Sequence, residues 1–105
     1  MTNETLETIK KRRSCRAYKP EQITDEELNA VLEAGTYAAS AMGRQSAKIV
    51  VVQDAATRAQ LTRMNAAVMG TNNAPMYAAP TILVVLADAN SKNAVQDGSL
   101  VMGNL

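Results

Sequence analysis

The sequence predicts a layered α+β (α/β) fold in which amphipathic helices alternate with apolar strands and cover them. Two apolar runs predict the strands: Ile49-Val50-Val51-Val52 within Lys48 to Gln53, and the run within Thr81 to Leu86. Both are short, β-branched and continuous rather than alternating, the pattern of a strand buried on both faces. The helices are predicted by apolar residues recurring at i, i+3 and i+4 behind capping residues. Two strands alone are marginal in water, so further strands are expected from absent residues or from another chain.

In chain order, Asn3 caps a first helix reaching about Lys11, with Leu6 and Ile9 on one face. Lys19-Pro20 ends the regular pattern, because the residue before proline is pushed away from helical angles. Thr24 followed by Glu27 is a capping box, and Leu28, Val31 and Leu32 form the stripe of a second helix ending near Gly35. Small and polar residues from Ala38 to Ala47 make a loop, after which the first strand begins. Asp54 caps a third helix from about Ala55, with Leu61, Met64 and Val68 expected to face inward and Gly70 to end it. Thr71 to Pro80 is irregular by composition, with two Asn and two Pro. Beyond the second strand and Ala87 to Ser91, a last helix carries Val95, Leu100, Val101 and Leu105. It is still periodic at Leu105, so the chain is expected to be cut rather than capped there.

The totals bound the function. A chain of 105 residues is one domain at most, and its only aromatics are three Tyr, so its core must be built from Ala, Val, Leu, Ile and Met. Such a core leaves surface for a partner to cover. With 11 basic and 10 acidic residues the net charge is +1, which gives no overall case for nucleic acid or an anionic membrane. Histidine is absent and Cys15 is alone, which excludes histidine acid-base chemistry, an internal disulfide and a Cys/His metal site within this chain. The polar N-terminus and the lack of a long apolar run predict a soluble cytoplasmic protein.

The basic residues are clustered. Lys10, Lys11, Arg12, Arg13, Arg16 and Lys19 occur with no acid among them. Within this run, Arg12, Arg13, Ser14 and Arg16 can bind a phosphate monoester through charge-assisted, partly bidentate hydrogen bonds, a geometry lysine reproduces less well. The bland reading is a solvated helix end with ion pairs to Glu7 or Glu21. Cys15, inside the cluster, is either a reactive thiol or a plain small residue.

The motif Arg12-Arg13-Ser14-Cys15-Arg16-Ala17-Tyr18 after an amphipathic helix resembles the opening signature of the nitroreductase family, whose members bind FMN between two subunits. The resemblance implies that Arg12, Ser14 and Arg16, with Arg13 beside them, contact the flavin's phosphate, ribityl chain and ring edge. Ala39-Ser40-Ala41-Met42-Gly43-Arg44-Gln45-Ser46 is similar to the family's flavin-face loop, which implies cofactor-binding roles for Ser40, Met42, Gly43 and Gln45. Ala39 and Ala41 stand where the family commonly has Pro and Gly. Asn72 to Pro80 is similar to the segment that ends before the family's second core strand, and implies Asn72 at the flavin's pyrimidine edge. Gln96 to Leu105 resembles the start of the long central helix that builds the family's dimer core.

The resemblance covers nearly the whole chain. It implies a nitroreductase-like fold, a central mixed or antiparallel sheet flanked by helices, with residues 1–105 the N-terminal part of a single FMN-binding domain in an obligate homodimer. It further implies ping-pong chemistry in which NAD(P)H reduces FMN and a nitroaromatic or quinone-like acceptor reoxidises it. The cofactor carries the redox step, so no catalytic residue is assigned. Two other readings remain open at this stage. One is a non-catalytic flavin- or nucleotide-binding fragment that needs a partner to complete its site. The other is a small nucleic-acid-binding domain on Lys10 to Lys19, which lacks aromatics interleaved with the basic residues on which bases could stack.

Overall fold

The computed structural model describes residues 1–105. Helix α1, Glu4–Lys11, starts where Asn3 accepts the Leu6 N–H at 2.9 Å, but it buries no residue and Ile9 stays 66% exposed. Residues 12–20 form no regular element and are exposed throughout. Helix α2, Asp25–Thr36, opens on the expected capping box, with the Glu27 N–H reaching the Thr24 hydroxyl at 3.2 Å and Glu27 accepting from the Thr24 N–H at 3.0 Å. A one-turn 3-10 helix at Ala41–Gly43 precedes strand β1, Lys48–Val52. Helix α3, Ala55–Met69, runs from the Asp54 cap to Gly70, whose left-handed φ of 66° closes it. Strand β2, Ile82–Leu86, and helix α4, Ala94–Asn104, complete the order.

The strands pair antiparallel in the register Lys48↔Leu86 to Val52↔Ile82. Helix α4 packs on β2 and against α2. The α2–α4 contact is close because Gly35 has no side chain: a Cβ there would lie 2.7 Å from Leu105 Cδ2 and 2.8 Å from Ile49 Cδ1. Asn104 adds a hydrogen bond from Nδ2 to the Ala34 carbonyl at 3.0 Å. Helix α2 ends beside Gly35, as expected, with Tyr37 as its C-cap, and the glycine in its last turn is also a contact point.

Several burial expectations are corrected. The strands are half-covered rather than buried on both faces, with Val50 and Leu86 exposed and Ile82 the one buried apolar side chain. In α3, Leu61 is half-buried, but Met64 and Val68 point outward. In α4, the inward face is Asp97, Gly98, Val101 and Leu105, while Val95 and Leu100 are exposed. Composition explains the differences: α3 is so rich in Ala, with Thr and Arg interspersed, that apolar spacing scarcely marks a face, and what packs on each element decides the rest.

The accessible surface is 8239 Å². A folded monomer of this mass exposes only about 5,700 Å². The radius of gyration, 15.5 Å, likewise exceeds the roughly 13 Å of a compact chain of this length. No helix is long and apolar enough to cross a membrane.

The helix caps predict an acid transition. Hydrogen bonds from the Thr24 backbone and hydroxyl hold the Glu27 carboxyl below its ordinary value, and the Thr57 hydroxyl and backbone N–H do the same for Asp54. A depressed folded-state value contributes stability that is complete above the unfolded value and lost as pH falls through the folded one. Helical circular dichroism is therefore expected to decline below about pH 4. Thr24→Ala should remove about 1 kcal/mol of helix stability at neutral pH. It should trim the α2 share of that decline only partly, because the Thr24 backbone N–H, the larger cause of the Glu27 shift, remains.

Candidate flavin site

Three separate surfaces carry the residues singled out from the sequence. The first is the extended segment after α1. Arg12, Arg13, Ser14 and Arg16 are all exposed there. The Arg13 guanidinium donates to the Lys10 carbonyl at 2.9 Å and the Arg12 carbonyl at 2.8 Å, so it folds back on the helix end. Arg12 and Arg16 make no such bond and present their forks outward. Tyr18 fixes the local path by donating its hydroxyl hydrogen to the Cys15 carbonyl at 3.0 Å, and the Cys15 thiol points at the Ala17 carbonyl at 3.3 Å.

The second surface is the loop between α2 and β1. Ser40 closes it from within: its hydroxyl accepts the Gln45 N–H at 3.0 Å and its carbonyl accepts the Gly43 N–H at 3.1 Å. The ring so formed forces Met42 (φ 55°), Gly43 (φ 64°) and Gln45 (φ 49°) into the left-handed region. For Met42 and Gln45 this conformation costs of order 1–3 kcal/mol each, and such strain clusters where ligands are clamped. A Cβ on Gly43 would meet nothing within 4 Å, so its backbone is open to a planar group. The Met42 side chain is 86% exposed beside it. Gln45 ties the loop to α2 through its amide nitrogen, which reaches the Thr36 carbonyl at 3.2 Å. Ser40 and Gln45 line a cleft of about 370 Å³ with Gly35, Ile49, Asp97 and Val101, while Met42 and Gly43 lie outside its lining.

The third surface holds Asn72, exposed on a shallow depression between α3 and the segment after it, with Arg63 and Asn73 among its neighbours. The following segment turns twice, through Tyr77 N–H to Ala74 O and Ala79 N–H to Met76 O, with Tyr77 and Ala78 both left-handed.

Three groups that the motifs did not flag organise these surfaces. Asp97, 4% exposed, accepts the Ala41 N–H at 2.9 Å. Arg58 donates to the Gln53 and Ala79 carbonyls, both at 3.1 Å, and Gln22 donates to the Pro80 carbonyl at 2.9 Å, so the turns before β2 are held from α3 and from the segment that precedes α2. A lone acid on the inward face of a helix was the available signal for Asp97. Arg58 gave none, because its partners are carbonyls.

The donor set fits FMN. Two free guanidinium forks and a serine hydroxyl suit a phosphate, and an exposed backbone at Met42 and Gly43 suits a flat ring. The chain's own body does not gather the three surfaces into one pocket.

The model for the nitroreductase family matches residues 9–97. Among solved structures, the chain is similar to a nitroreductase with bound FMN from Bacteroides fragilis, at 34% identity and a TM-score of 0.84, covering 98% of this chain and 62% of that one. An FMN-dependent nitroreductase from Clostridium difficile matches at 32% identity and 0.83, covering 97% and 53%. A nitroreductase with bound FMN from Desulfitobacterium hafniense matches at 30% and 0.86, covering 99% and 63%. The chain thus spans about 60% of the length of the structures it matches. No curated protein matches it.

Proposed function

Because the chain belongs to the nitroreductase family, we propose that it forms the N-terminal part of an FMN-dependent oxidoreductase, which passes hydride from NAD(P)H by way of the flavin to nitroaromatic or quinone-like acceptors. The reading includes a ping-pong cycle and a flavin cleft shared by two copies of the chain. The observation that carries it is the pair of outward-facing guanidinium forks at Arg12 and Arg16, flanking Ser14 on a segment that is exposed throughout. The surplus of roughly 2,500 Å² over a compact monomer supports a site completed by further elements and a second subunit. Obligate interfaces bury areas of this order.

Bound FMN supplies two-electron chemistry, and the protein's part is to hold, orient and shield it. Arg12 and Arg16 neutralise the phosphate and fix its end of the molecule. The loop 40–45 offers backbone and the Gln45 side chain to one edge of the ring, and Asn72 an amide to the pyrimidine edge.

The test is optical. The full chain, incubated with FMN and desalted, should be yellow, bleach on NADH or NADPH under nitrogen, and regain colour with a nitroaromatic or a quinone. Bound flavin that neither nicotinamide reduces would favour a non-catalytic binder. A preparation that stays colourless and sizes as a single subunit would remove the proposal.

A further inference from the structure

Asp97 is the one charged side chain that the fold buries, and burying a carboxylate is unfavourable unless it is hydrogen-bonded. The bond it makes crosses from α4 to a loop 56 residues earlier: Oδ1 accepts the Ala41 N–H at 2.9 Å. Ala41 is the first residue of the 3-10 turn, so its N–H is one of the donors a helix start leaves without a partner. Ser40 is the local cap residue, yet it provides no side-chain cap, because its hydroxyl is occupied by the Gln45 N–H. Asp97 therefore satisfies, from across the fold, an N–H at the first position of the turn that the side chain of the local cap residue does not reach.

We propose that Asp97 is a positioning residue for the loop 40–45, which it clamps through the Ala41 N–H so that Met42, Gly43 and Gln45 keep their left-handed backbone facing the flavin. The assignment to flavin rests on the function proposed above; the clamp does not. A ring closed only by Ser40 would be free to relax at Met42 and Gln45, where side chains disfavour the observed angles. With Ala41 anchored to α4, the loop is tied at Ala41 to Asp97 and at Gln45 to the Thr36 carbonyl. Asp97 also lines the cleft that Ser40 and Gln45 share, so clamp and cleft form one unit.

The experiment is amide hydrogen exchange on the full chain, with and without FMN. Asp97→Ala should speed exchange at residues 41–45 by about tenfold, the cost of orphaning a part-buried donor, and weaken FMN by a similar factor. Amides of β1 and α2 should not change. Asp97→Asn keeps an acceptor oxygen and should restore both readouts, which a loss of general packing would not do. Ala41→Pro removes the same N–H from the other side. Ser40 already has the extended angles (φ −136°, ψ 151°) that precede proline, and proline is tolerated at the first position of a helical turn. The double variant Ala41→Pro/Asp97→Ala should be no worse than the worse single one.

Additive effects, exchange confined to wild-type rates in Asp97→Ala, or equal acceleration across β1 and α2 would each overturn the clamp. Should Asp97→Ala not fold, Ala41→Pro and Asp97→Asn decide it: loop exchange must rise in the first and not in the second. If the exchange pattern holds but the wild-type chain never takes up FMN, the clamp stands and the flavin reading falls.

Discussion

Arg12→Ala and Arg16→Ala are each expected to weaken FMN binding by roughly 10- to 100-fold, the worth of a charge-assisted hydrogen bond to a phosphate. The two outrank Arg13, whose guanidinium is already committed to the Lys10 and Arg12 carbonyls. Arg13→Ala should instead loosen the end of α1 and change affinity less. Lysine at position 12 or 16 should recover part of the loss, since charge survives and the fork does not. Quenching of flavin fluorescence on titration, repeated at two salt concentrations, measures this ranking. Alanine variants at both positions that bind within twofold of wild type would refute the phosphate assignment.

Gly35→Leu is expected to give the largest loss of stability. A side chain at that point would have to displace Leu105 and Ile49, whose methyl carbons come within 2.7 and 2.8 Å of where its first carbon would sit. Overpacking of this kind costs about 1–3 kcal/mol, and in a chain of this size each kcal/mol lowers the melting temperature by about 4–8 °C. A fall on the order of 10 °C by calorimetry is the expected result. Gly98 provides the contrast, being equally buried but with the nearest atom to a new Cβ 3.5 Å away, at Ala87. Gly98→Ala should be neutral or stabilise by up to about 1 kcal/mol, because alanine is the better helix residue. Equal damage at the two positions would mean that the close approach of α2, α4 and β1 at Gly35 is not a determinant of stability.

The pair also shows where sequence reading stops. Both glycines sit in helical sequence, and nothing local separates one pressed against a neighbouring helix from one with room to spare. Local signals were otherwise dependable. Asn3, Thr24 with Glu27, Asp54 and Gly70 mark helix ends where they occur, because a cap is a bond between residues a few positions apart. The two β-branched runs became strands, and the arginine motif and the order of segments were enough to identify the family.

What the residues determined unaided is therefore short-range: capping, turn chemistry, strand propensity, and a motif order that names a family. Tertiary structure alone decided that Met64, Val68, Val95 and Leu100 face outward, that Gly35 is a contact, that Arg13 turns back while Arg12 and Arg16 reach out, and that Asp97 holds a loop 56 residues away. The reason is physical: burial and long-range hydrogen bonds depend on which surfaces meet, and which surfaces meet is a property of the folded whole rather than of any window of sequence.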